Sequence, residues 1–216
     1  MISSIRRLVA SNSDLIYVIC IFIVMLSLSS LTLGNDSEQE TMLALIWICA
    51  AFVLQISTSN LFAPDYRDGI LEQIFIQPFS SKLMIIYKIF IHWVLFGFPI
   101  AVISFVFSSV VLGTGVKYSM IVGLSLLLNM LIVINISATG NALMIGRNSF
   151  LASGVPQVLI LPIIMPTFVY FKLLVQFESL SLSIHTLLIT ALIFLIMMIN
   201  STIAVYMALK FAIEQD

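Results

Sequence analysis

The sequence predicts an all-α, polytopic membrane protein of six transmembrane helices, with a short amphipathic helix on the cytoplasmic surface between the second and third. Composition is the first observation: of 216 residues, 61% are hydrophobic and only 9% charged, with a mean hydropathy of +1.18. Soluble domains carry about a quarter charged residues, and no water-soluble fold hides this much apolar surface. The second is the division of the chain into six blocks that reach the roughly 20 apolar residues a helix needs to cross hydrocarbon. The third is the asymmetry of Lys and Arg between the connecting segments.

The blocks run Leu15–Leu33, Met42–Phe62, Met84–Leu112, Tyr118–Gly140, Leu151–Phe171 and His185–Leu209. The third is long enough to tilt. Polar joints separate them: residues Gly34 to Thr41, the turn Gly113-Thr114-Gly115, and Asn141 to Ser149 with Gly146, Arg147 and Asn148. Only the joint from Ala63 to Leu83 is substantial, so residues 1–216 read as a single transmembrane domain. With the N-terminus inside, Arg6, Arg7, Arg67, Lys82, Lys88, Arg147 and Lys210 lie inside, and Lys117 and Lys172 outside. Positive loops stay in the cytoplasm, which places both termini there. The first apolar block exceeds the 7–15 residues of a secretory signal core, so it reads as a retained helix. Residues 1–14 fit a short interfacial helix with Arg6 and Arg7 among anionic headgroups.

The joint after the second span carries the most information. Asp65 follows Pro64 as a helix cap, Asp68 falls in the first turn, and Pro78 is a stop. Between them Ile70, Leu71, Ile74 and Phe75 share one helical face, and Asp68, Glu72, Gln73 and Gln77 the other. A continuous helix from Asp65 to Gln77, flat on the membrane surface, is expected. Its acidic face suits docking of a soluble partner; the alternative is a plain connector between spans.

No Asp, Glu, Lys or Arg is expected near the middle of a span, which disfavours a proton-driven carrier. Gln55, Asn129, Asn135 and Asn200 read as interhelical glue rather than a substrate path. His92-Trp93 reads either as a packed, hydrogen-bonded histidine beside an interfacial tryptophan, or as a haem ligand or pH switch. His185 fits contact with headgroups at an outer helix end. Pro162 and Pro166, one turn apart, predict a kinked fifth span, as Pro99 does for the third. Cys20 and Cys49 read as buried small hydrophobes, with no metal-ligand or redox spacing. The sequence has no G-x-x-x-x-G-K-[ST], H-E-x-x-H or G-x-S-x-G motif, so nucleotide hydrolysis, zinc proteolysis and serine hydrolysis have no apparatus. If ATP drives this protein, another chain binds it. A net charge of -1 with scattered cations argues against a nucleic-acid partner.

These residues carry a resemblance. Leu61-Phe62, Asp65, Asp68-Gly69, Leu71-Glu72-Gln73, Pro78, Lys88, His92-Trp93, Gly97 and Pro99, then Gly146, Leu161-Pro162 and Pro166, are similar to the haem exporter protein B (CcmB) family over nearly the whole chain. The resemblance implies a non-catalytic permease subunit of the ABC complex for cytochrome c maturation, in a bacterial or mitochondrial inner membrane. It implies an ATPase partner (CcmA-like), membrane partners (CcmC-like and CcmD-like) and a haem chaperone (CcmE-like), with a homodimer within the complex possible by analogy. No cofactor is expected on the chain itself: haem is handled by the complex and ATP by the partner. Asp65, Asp68, Gly69, Glu72 and Gln73 then belong to an ATPase-docking coupling helix, and His92, Trp93, Pro162 and Pro166 are membrane residues of interest. Two other readings are a non-transporting scaffold of the same complex and a haem-binding enzyme using His92.

Overall fold

The computed structural model describes residues 12–33, 39–59, 61–76, 78–145, 160–169, 171–172, 175 and 184–214. Regular structure among the described residues is entirely helical. In chain order it comprises α1 (Asn12–Leu33), α2 (Gln39–Thr58), the short α3 (Ala63–Arg67) and α4 (Ile70–Phe75), and α5 (Pro78–His92). A π-turn (Trp93–Gly97), α6 (Phe98–Val110), α7 (Val116–Ala142), α8 (Ile160–Val169) and α9 (Ile184–Glu214) follow.

Four stretches among the described residues are long and apolar enough to cross a membrane: Asp14–Thr32, Glu40–Arg67, Ser81–Val110 and Val116–Ala142. The 27 residues of α7 reach about 40 Å at 1.5 Å per residue, more than a hydrocarbon layer. Of the fifth expected block, α8 is a shorter apolar helix, and residues 151–159 lie outside the described residues. The sixth block falls within α9, a helix of 31 residues. It outruns the expected end at Leu209, and in the added turn Lys210 pairs with Glu214 at 3.5 Å in the i,i+4 arrangement. Residues 1–11 with Arg6 and Arg7, residues 34–38, Gln77, the joint 146–149 with Gly146, Arg147 and Asn148, and the side chain of His185 lie outside the described residues.

Two boundaries differ from expectation for reasons of proline chemistry. Pro78 opens α5 instead of ending the preceding helix; at the first helical position its missing N–H would have been unpaired in any case. The bend expected at Pro99 is resolved as a π-turn over Trp93–Gly97, just ahead of it. Proline cannot donate to the carbonyl four residues back, here Leu95, and its ring crowds that carbonyl. A widened turn at that point absorbs both defects without ending the rod. Pro162 and Pro166 both lie inside α8, and both side chains are exposed.

Helix α7 is the hub, packing against α2, α6 and α9. Its neighbours come close because small residues face them: a Cβ on Gly123 would sit 3.2 Å from both the Ala101 carbonyl oxygen and Phe105 Cβ. Helix α1 packs on α2 through Val18, Phe22 and Leu26, spaced four apart on one stripe, and turns Ile16, Ile23, Val24 and Leu28 outward. Cys20 is on the outward side and exposed, contrary to expectation, because it stands two positions beyond the Val18 stripe. Cys49 is buried and lies 3.8 Å from the Ser29 hydroxyl.

Side-chain amides join the hub to its neighbours. Asn129 accepts from Trp47 Nε1 on α2 at 2.7 Å and donates to the Thr167 carbonyl on α8 at 2.7 Å. Asn135 accepts from the Ser201 hydroxyl on α9 at 2.5 Å, and Asn141 donates to the Thr58 hydroxyl at 3.4 Å. Two of the expected amides, Asn129 and Asn135, therefore bridge helices, Asn141 adds a further link, and Asn200 is exposed on α9 instead. At the opposite end, Lys172 pairs with Glu40 at 2.7 Å, which puts the start of α2 beside the segment after α8.

Asn129→Ala strands an indole N–H and a backbone carbonyl away from water, so it should cost about 1–2 kcal/mol. Reversible unfolding in detergent micelles, followed by Trp47 fluorescence, measures it; an unchanged midpoint would show that the bridge carries no net stability.

Candidate functional site

The joint between the second and third spans begins where α2 runs out. Ser57, Thr58 and Ser59 each turn their hydroxyls back to carbonyls three or four residues earlier, competing with the helix they end. Leu61 N–H reaches Thr58 O at 3.0 Å, and the chain re-enters the core with Leu61 and Phe62 both 2% exposed. Pro64 then starts α3, whose first backbone groups have no side-chain cap.

The single surface helix expected from Asp65 to Gln77 is two helices. Gly69 takes φ of +65° between them, a left-handed corner closed by Asp68 N–H to Pro64 O and Gly69 N–H to Tyr66 O, each 3.1 Å. Nothing crowds the position of a Cβ there, so glycine is needed for backbone conformation alone. The corner rotates α3 relative to α4 and gives them different surroundings.

Helix α4 matches the amphipathic pattern. Leu71 is buried, Ile74 and Phe75 are half-buried against the core, and Glu72, Gln73 and Asp68 at the corner are exposed. Phe75 stacks on Tyr206 of α9 with ring centroids 5.1 Å apart and planes 18° from parallel. Lys82 Nζ lies 5.2 Å from the centroid of the same Tyr206 ring. The polar face thus sits on a mount fixed to both α5 and α9. Arg67 is exposed beside it, so the face is mixed in charge rather than purely acidic.

Asp65 does not belong to that face. It is 2% exposed and forms a buried ion pair with Lys88 of α5, which is 5% exposed. Lys88 Nζ also lies 5.3 Å from the Phe62 ring centroid. Lys88 lies within the Ser81–Val110 span, in its first third rather than near its middle, and carries its counter-charge with it. The sequence did hold a signal for this. A lone cation inside an apolar block demands an acid, and Asp65 is the acid with the apolar run Leu61-Phe62-Ala63-Pro64 before it.

One turn beyond Lys88, His92 is 2% exposed, with its ring 4.4 Å from that of Phe96. Its Nε2 lies 3.0 Å from Ser57 Oγ. Ser57 has one hydroxyl proton, which goes to the Leu54 carbonyl at 2.8 Å, so His92 Nε2–H is the donor and Nδ1 is a bare acceptor. Among the described residues Nδ1 has no partner. Trp93 is not interfacial: it starts the π-turn and donates Nε1–H to the Leu127 carbonyl of α7 at 3.0 Å, midway along that helix. Of the candidates, Glu72 and Gln73 are exposed on α4, Asp65 is buried against Lys88 of α5, and His92 and Trp93 follow Lys88 along the same span. Pro162 and Pro166 are on α8. No cluster of metal-ligating side chains occurs among the described residues.

The family model of the CcmB protein matches residues 2–215. The chain belongs to the CcmB family. It is similar to heme exporter protein B of Pseudomonas aeruginosa, with 28% identity over 168 residues, covering 76% of this chain and 73% of that protein. Heme exporter protein B of Haemophilus influenzae is 25% identical over 161 residues, 74% of this chain and 72% of the relative. That of Paracoccus denitrificans is 27% identical over 153 residues, 69% and 68%. Within this CcmB chain the described spans and the surface helix pair fit a multi-pass membrane protein.

Gly69→Ala places an L residue in the left-handed region, which costs about 1–2 kcal/mol. The shift should appear in a micelle unfolding midpoint, and Gly69→Asn should lose less, since Asn tolerates that region. Equal loss in both variants would point to side-chain crowding rather than backbone strain.

Proposed function

We propose that this chain is the membrane permease subunit of an ABC-type complex in c-type cytochrome biogenesis. In this reading it couples ATP hydrolysis by a separate CcmA-like ATPase to haem handling or to release of a haem-loaded CcmE-like chaperone. CcmC-like and CcmD-like proteins are the other membrane partners. The chain binds no cofactor of its own, sits in a bacterial or mitochondrial inner membrane with both termini on the cytoplasmic or matrix side, and crosses it six times. Family membership supports the complex, and the relatives' names support haem as the cargo class.

One observation carries the coupling: a short polar-faced helix, α4, mounted on α5 and α9 where the second span meets the third. A subunit that is to feel ATP hydrolysis needs a rigid handle at the cytoplasmic surface, and Asp68, Glu72 and Gln73 face outward on this one. The buried part of α4 needs no partner outside the chain, so the exposed face is free to be specific. A second reading, a non-transporting scaffold, draws on the amide bridges of Asn129 and Asn135, which pin three helices to α7.

Glu72→Lys should reduce ATPase co-purification and cytochrome c yield by about tenfold each, the effect of reversing one interfacial charge, while accumulation of the chain is unchanged. Undiminished association would remove the docking role. A catalytically inactive ATPase separates the two readings: the coupled permease loses maturation with it, and a scaffold keeps it.

A further inference from the structure

The Asp65–Lys88 ion pair joins two residues 23 apart in the chain, one on α3, which packs beside the surface helix α4, and one on α5 within the third span. The two side chains are 3% and 6% exposed, with the Phe62 ring beside Lys88 Nζ, so water cannot substitute for either partner. A buried ion pair is poor at adding net stability, because the desolvation of two charges offsets most of their attraction. Breaking it is another matter, since either ion alone in an apolar surround is left uncompensated. The contact is therefore all or none, and α3 and α5 cannot slide past each other by small steps as two leucine faces can.

What lies along α5 gives that rigidity a use. Above Lys88, His92 is bonded to Ser57 of α2. Beyond it comes the π-turn Trp93–Gly97, followed by Pro99, where the rod lacks a regular backbone bond and is weakest against bending. Trp93 is held from the other side by the Leu127 carbonyl of α7. A displacement of α3 thus loads the lower rod directly beneath its soft point.

We propose that Asp65 and Lys88 are positioning residues whose ion pair is the rigid link carrying movement of the surface helices into α5 and its π-turn. This rests on the reading of α4 as the ATPase-docking element and assigns the step after docking.

The test uses the assembled complex in its membrane and three readouts: accumulation of the chain, ATPase co-purification, and cytochrome c yield per accumulated complex. In the apolar double variant Asp65→Leu with Lys88→Met, neither charge is left stranded. Accumulation and ATPase association should stay at the normal level while yield per complex falls about tenfold, within the range of couplings between sites. The exchanged double variant Asp65→Lys with Lys88→Asp should recover most of that yield. Normal yield in the apolar variant would overturn the link and leave the pair as packing. Loss of ATPase association in the apolar variant would also overturn it, by making the pair part of the docking surface. If the apolar variant fails to accumulate, the exchanged variant decides alone: yield restored with the ATPase bound supports the link, and yield lost with the ATPase bound overturns it. The docking reading fails separately, through the association measured with Glu72→Lys.

Discussion

In hydrocarbon, a polar group that finds no partner inside the protein finds none, because water is absent. Most of the informative features of this chain answer that constraint. The Asn129 amide spans α2 and α8, and Asn135 holds Ser201 of α9. Lys88 reaches Asp65, Trp93 reaches a carbonyl of α7, and His92 is bonded to Ser57. With lipid tails as apolar as leucine, such bonds and close contacts between small residues, rather than burial alone, decide which helix faces which. That is why α7, which carries both amides and Gly123, is the hub.

The same constraint explains what could be read from the chain. Apolar blocks are legible because each span must satisfy its backbone within itself, so length and hydropathy suffice to find Asp14–Thr32, Ser81–Val110 and Val116–Ala142. The amphipathic pattern of Ile70 to Phe75 was legible for a similar reason, since one face meets the core and the other does not. The corner at Gly69 was not. Asp65 and Asp68 read as one helical turn, but Asp65 is buried on Lys88 while Asp68 is exposed at the left-handed corner. The π-turn was legible only as a generic proline defect, because the sequence does not specify whether a kink or a widened turn relieves Pro99. The outward position of Cys20 depends on which stripe of α1 meets α2, and a helix apolar all round gives no preference.

Buried bonds also bear on His92. A haem ligand needs a free nitrogen and space for a large flat ring at its side. Here Nε2 is committed to Ser57, Phe96 lies against the imidazole, and His92 is 2% exposed. The bare nitrogen Nδ1 is an acceptor, and burying an unpaired acceptor still costs desolvation. What His92 gains is a tie between α2 and α5 just above the buried ion pair. A structural histidine needs no access, so this role agrees with the packing.

Rigidity in one place implies compliance in another. The lower part of α5 is fastened by Lys88 to α3 and by His92 to α2, and the rod above begins with the π-turn that Pro99 imposes. In the proposed link, movement entering at the surface helices is carried through these directional ties. In that reading it emerges at the π-turn, where Trp93 donates to the Leu127 carbonyl. That carbonyl lies two residues before Asn129, the residue joining α7 to α2 and α8. The proposed bend at the π-turn would therefore meet the hub at the level of its principal crosslink, the residue that ties it to two other helices.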